Sequence, residues 1–495
     1  MRVLAVLVGL AAAHGASIRG GAADNLTGRP LARARVTLEP VGKTRASASA
    51  SVFTDAGGQF SFPGLPAGAY LIKASRRGYL EARYGQRRWN SPGTPVVLEE
   101  HAEHVALLRL HRHGVITGEV LDQNRVGMEE MPVYVFRAGP QLRLAAAAAT
   151  DDRGVFRAGG LEPGRYYVRT AAKLLEDRQG LLLTFYGQTA RLADARLVEV
   201  RLDEEVTGIT VEPLRGRLAS ISGTVAGPVS ANITLYTDTG KREARAEPGG
   251  TFSFDQLAPG QYDILAESAD AGSALSASRT VSVVSERETV SIELAPSPSL
   301  RIRCEELSQR AFPARNVSLF VRRLERGADA SSRRIACGER ITLTPGHWEM
   351  ATAPPPDYYV ASIRGAEPSG SAYSFALMSR QSLEVHVAFS SRTATLGGKV
   401  RTSDGQAGVG APVFLYPLDM DLRSRMGGVR TARADENGNY LFVGLAPGRY
   451  EALSSFDIQD PGEAAWPAGR GKVVTADEGR TSTQDLEVEV LDNLG

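Results

Sequence analysis

The chain has 495 residues, with 57 basic side chains against 56 acidic ones. That length predicts several domains instead of one core, and the balanced charge excludes a basic nucleic-acid footprint. Fifty-two glycines and 26 prolines, set between alternating apolar runs, predict many turns joining β-strands.

In chain order, the first stretch is MRVLAVLVGLAAAHGAS. Arg2 precedes an apolar run from Val3 to Ala13, with small residues at Ala13 and Gly15. It predicts a secretory signal over residues 1–15, too short to cross a membrane as a helix. No later stretch approaches 18 apolar residues, so no membrane span is expected in the mature chain. The expected location is periplasmic, cell-surface or secreted.

A theme then recurs. A strand built on I-x-G-x-V appears as SIRGGA at Gly20, VITGEV at Gly118, SISGTV at Gly223 and TLGGKV at Gly398; LRIRCE puts Cys304 in the glycine's place. A second strand follows each time (ARARVTLEPV, MPVYVFRA, ANITLYTD, NVSLFVRR, APVFLYPL), alternating at period two so that one face is buried. Turns come next: TDAGGQF, TDDRGVF and ADENGNY place an aspartate before a glycine free to adopt positive φ. Asp435, Asn437 and Asn439 suggest a calcium loop, but the glutamate and flanking helices that an EF-type loop needs are missing. Ala145–Ala149 occupies the place of SASASV in the first repeat and is read as strand.

Each repeat closes on a phrase like GLAPGRY. Its second glycine falls at Gly68, Gly164, Gly260, Gly346 and Gly448. Leucine ends a strand in the core, Pro-Gly turns the chain to the opposite sheet, and an aromatic residue begins the next strand. Tyr70, Tyr166, Tyr262 and Tyr450, with Trp348 in the fourth repeat, are expected to form the tyrosine corner of Greek-key sandwiches. The fold predicted is all-β: about five antiparallel Greek-key, prealbumin-like sandwiches at 16–113, 114–216, 217–298, 299–391 and 392–495. Each module is about 30 Å across, and short linkers such as APSPS predict five in line, reaching about 150 Å.

The GxV, D-x-x-G-x-F/Y-x-F and GL-x-P-G-x-Y motifs, with RRGYLEARYGQ in the first repeat and LLLTFYGQ in the second, resemble the carboxypeptidase regulatory-like family. That family has a transthyretin-like sandwich related to Cna B-type and starch-binding-like domains. The arrangement resembles multi-repeat exported bacterial proteins. The resemblance implies the fold and little about function. Cna B-type domains often carry an internal Lys–Asn crosslink helped by a glutamate four residues after the corner tyrosine. Ala74, Thr170, Ala266 and Ser454 stand there instead, so no such crosslink is expected.

Chemistry is sparse. No histidine heads a His-x-x-Glu zinc pair, VGKT lacks the earlier glycine of a phosphate loop, and no G-x-S-x-G elbow occurs. No catalytic residue, cofactor or metal is expected. Four of seven histidines lie between His101 and His113, and His111 and His113 would share a face if they ended the last strand of the first module. Such a pair can chelate zinc; a solvated strand end and hinge is the plainer reading. Cys304 and Cys337, both in the fourth repeat, read as a disulfide in an exported protein. The alternative is two buried thiols. Tyr84 and Trp89 in RYGQRRWNSPG, and Trp466 in GEAAWPAG, are candidate sugar-stacking platforms on loops. The function expected is a non-enzymatic binding or spacer protein, with polysaccharide or another cell-envelope or extracellular protein as partner. The alternative is a hydrolase with a nonlocal site, or an accessory subunit of one.

Overall fold

The computed structural model describes residues 15–42, 49–139, 142–175, 179–237, 240–270, 272, 274–307, 314–324, 332–355, 357–458 and 466–491. The segment read as a secretory signal lies outside them, apart from Gly15. Among the described residues there is one α-helix, Met420–Met426, and the rest of the regular structure is strand apart from two short 3-10 turns. The protein is a tandem array of β-sandwiches.

Five hydrophobic cores succeed one another. They centre on Ile18, Phe62 and Leu108; on Ile116, Phe156 and Val200; on Ile221, Phe254 and Ile292; on Leu300, Trp348 and Val387; and on Leu396, Phe442 and Leu486. The exposed surface, 26196 Å², far exceeds the roughly 17,700 Å² of a single compact body of this mass. The cores are separate.

The first module shows the plan. One sheet orders Gln59–Leu65, Ala16–Asp24 and Glu103–Leu110; the other is built on Ala50–Phe53, Arg35–Pro40 and Gly68–Ser75. The first strand pairs antiparallel with the strand after the turn and parallel with the last strand. The same parallel pairing of first and last strands recurs in the other four modules. The sandwiches are therefore mixed, not wholly antiparallel as period-two alternation suggested, because alternation reports burial and carries no strand direction. A parallel first and last strand delivers the chain to the end opposite its entry, which lets modules follow one another.

The recurrent motifs prove to be two halves of one contact. Gly20, Gly118, Gly223 and Gly398 sit in register with Phe60, Phe156, Phe252 and Tyr440 on the neighbouring strand. At Gly223 an added Cβ would collide with the Phe252 ring and approach the Val290 carbonyl. The ring thus takes the space that the glycine leaves. In the fourth module no aromatic residue pairs with position 304, and the room is taken by a Cys304–Cys337 disulfide against that core. Gly223→Ala is expected to destabilise the third module by about 1–3 kcal/mol through overpacking, read as a lower urea midpoint for that module. An unchanged midpoint would refute the contact's importance.

The closing phrase is a corner. Tyr70, Tyr166, Tyr262 and Tyr450 each donate their hydroxyl to the carbonyl four residues back, at Pro66, Glu162, Ala258 and Ala446, over 2.6–2.9 Å. Trp348 does the same through its indole N–H to Thr344, at 3.0 Å. The glycine before the leucine supplies a bulge at positive φ (70° at Gly64, 81° at Gly160, 69° at Gly444), and Gln256 adopts φ 57° in the third module. Asp55, Asp151 and Asp435 cap the turns by accepting backbone N–H bonds from Gln59, Val155 and Asn439. Asp435 is occupied in this way by Asn437 and Asn439.

The array does not run out in a line. The first module touches the fifth, so the inter-module contacts form a closed circuit. This corrects the expectation of five modules extended over about 150 Å. The turns at successive joints add in the same sense and bring the ends together, which short linkers alone do not indicate.

Candidate functional site

Several buried or half-buried polar groups bond across the joints. Within module one, beside its junction with module two, the side chain of Asp24, 2% exposed, accepts from Arg112 Nε at 2.7 Å, Tyr79 Oη at 2.8 Å and the Thr27 backbone at 2.8 Å. Burial alone would raise its pKa. The bonds from Arg112, Thr27 and Tyr79 outweigh burial and hold the carboxyl far below the usual range. Asp203 of the second module receives the Arg112 backbone N–H and His111 Nδ1, both at 2.6 Å. The H-x-H pair does not lie on a strand: the strand ends at Leu110, and His111 bonds Asp203 across the hinge. His104 meets the Tyr84 hydroxyl. Among the described residues no three His, Cys, Asp or Glu side chains group to hold a metal.

A folded-state pKa below the unfolded value near 3.9 means that Asp24 stabilises the fold above that value. The contribution is lost as pH falls through the lower, folded value. Urea midpoints of the native chain should therefore drop between about pH 4 and pH 2 relative to Asp24→Asn. Parallel pH profiles for the two proteins would refute this.

The strand Arg215–Arg217, which leads from module two into module three, pairs with Gln179–Leu181 of module two, beside Lys173–Leu174. Modules four and five are joined by the helix. Arg425 donates to the Val360 carbonyl and Ser424 to that of Gly370, Tyr373 bonds Asp421, and Tyr359 enters the fifth core. At the joint between modules three and four, the Arg323 guanidinium lies over the Tyr236 ring. The joint's bonds include Arg380 N–H to the Pro296 carbonyl and the Ser379 hydroxyl to the Ser276 carbonyl, and clefts of about 460 and 600 Å³ flank it.

The last-to-first junction unites the loops singled out from sequence. Arg87 donates to Asp457 Oδ2 at 3.0 Å, where Asp457 is 2% exposed and also accepts the Leu491 N–H at 2.8 Å. Arg88 donates to the Leu491 carbonyl. Gly410 packs so closely on Pro95 and Val41 that a side chain there would strike Pro95. Ser91, Pro92 and Gly93 are buried and Trp89 is half-buried. The RYGQRRWNSPG stretch is thus a docking loop.

Two of the three aromatic candidates, Tyr84 and Trp466, pack against other side chains. Tyr84 is half-buried and lies edge-on to His104 at 5.3 Å. Trp466 stacks on Tyr416 at 4.8 Å and donates its N–H to Glu451 at 2.9 Å. One face of its ring is thereby filled, and Arg423 lies over Tyr416 in turn. The large apolar rings are used in packing, a role that loop composition does not distinguish from sugar stacking. Trp466 and Leu491 share a small apolar cluster, so Trp89 and Trp466 belong to elements of the same junction. Asp203, Arg87 and Asp457 escaped sequence reasoning, since no motif marks a residue whose partner lies in another module, and Asp24 escaped it because its donors Tyr79 and Arg112 lie far along the chain.

Residues 17–99 match the model of the carboxypeptidase regulatory-like domain. That match covers the first module. A search among curated proteins finds no match. Among solved structures, the chain is similar to the Bacillus anthracis TIE protein at 12% identity, over 72% of this chain and 68% of that one, with a TM-score of 0.17. It is similar to GBS52, the minor pilin of Streptococcus agalactiae, at 14% identity over 40% and 95% of the two chains, with a TM-score of 0.25. It is also similar to the pilus adhesin SpaC from Lactobacillus rhamnosus GG at 13% identity, over 66% and 50%, with a TM-score of 0.17.

Proposed function

We propose that the chain is a non-enzymatic exported protein whose five sandwiches form a self-closed scaffold. It serves as a spacer or binding framework at the cell envelope, with polysaccharide or an envelope or extracellular protein as its partner. One observation carries this reading: the carboxylates of Asp203 and Asp457, 9% and 2% exposed, each bind a residue of another module. Charges spent on holding modules together serve architecture.

Retention of the full chain on insoluble polysaccharide or envelope material, with no turnover on an ester, peptide and glycoside panel, is the expected result. Turnover abolished by a single histidine substitution would replace the scaffold with a hydrolase. Retention that Trp89→Ala removes and Trp466→Ala leaves intact would place the contact on the docking loop.

A further inference from the structure

The junction of modules one and five differs in kind from the other four. Those four join neighbours in sequence, so their partners are held together whatever the strength of the contact. Arg87 and Asp457 are separated by 370 positions. Their contact is made only if the whole array curves round. Its two faces are unlike each other: one offers two guanidinium groups and Pro95, the other a buried carboxylate, the Leu491 carbonyl and the bare backbone of Gly410. A contact between unlike faces of one chain fits equally well between two chains, where it links copies head to tail.

We infer that the first module is an exchangeable docking unit, and that its alternative partner is the fifth module of a second copy of this chain. The joint between modules three and four, which has open clefts on both sides, supplies the give. Clefts of about 460 and 600 Å³ on its two sides leave room for rotation without breaking either core. The inference rests on the closed scaffold proposed above. Within one chain the tether holds the first module near its site at an effective concentration on the order of millimolar. Closure therefore prevails in dilute solution, and exchange competes only when copies are crowded to that density.

The test uses two full-length copies with different affinity tags, mixed at about 1 mM and at about 10 µM, diluted, and captured through one tag. Particles carrying both tags are expected after the concentrated incubation, at least tenfold above the dilute one. Arg87→Ala with Arg88→Ala should reduce them at least tenfold. Gly410→Trp, which blocks the site from the opposite module, should act likewise. Absence of two-tag particles at about 1 mM, or equal amounts from both variants and the native chain, overturns the exchange. Scattering separates the two claims: a closed native monomer that never exchanges leaves the scaffold standing, whereas an extended native monomer removes both.

Discussion

Solution scattering from the full chain is expected to give a radius of gyration of about 28 Å. That is the value for five bodies of about 12 Å radius of gyration, spaced about 30 Å apart, whose ends meet. The same bodies in a straight line give about 44 Å, and a single compact globule of this length about 23 Å. Arg87→Ala with Arg88→Ala should move the native value several ångströms toward the extended limit. The substitution strands the Asp457 carboxylate, 2% exposed, with the Leu491 N–H as its remaining donor among the described residues. Isolating a buried charge costs about 3–5 kcal/mol, and the 47% exposure of Arg87 lowers this to about 2 kcal/mol. The contact has no linker to keep it formed, so a loss of that size opens most molecules. Superimposable curves for variant and native protein, or a native value near the straight-line limit, would remove the closed circuit.

Truncating a corner should be larger in energy. Tyr450 is fully buried and its hydroxyl donates to the Ala446 carbonyl at 2.6 Å. Tyr450→Ala is expected to cost the fifth module about 3–5 kcal/mol, as for other large buried aromatic residues. Tyr450→Phe keeps the ring and removes one hydrogen bond, a loss of about 1 kcal/mol. A module of this size holds on the order of 5–14 kcal/mol, so the alanine variant should show a separate, earlier calorimetric transition. The docking site for the first module lies in the same unit, and the scattering radius should rise through that transition. A single unshifted transition would mean that the corner is ornamental.

The division between what sequence reveals and what it hides follows contact range. The corner bond spans four residues, and the aspartate-capped turn spans four, so both leave a local signature that repeats. The glycine–aromatic contact is longer in range but recurs in four modules, and repetition makes it visible. The junction residues occur once each and depend on partners far along the chain. Trp466 shows the same limit from the other side: its loop composition reads as a binding platform, yet Tyr416 and Glu451 claim its ring and its N–H. Cys304 stands where the glycine motif fails, and its bond to Cys337 fills the place of the missing ring.

The parallel pairing of each module's first and last strands has a mechanical consequence. Tension along the chain enters at the start of one strand and leaves at the far end of its neighbour, so the interstrand bonds are loaded together, in shear. In the first module that pairing runs from Ser17 opposite Glu103 to Asp24 opposite Leu110. A pulled molecule should therefore release its first-to-fifth contact at low force and then resist abruptly, each sandwich yielding as a unit.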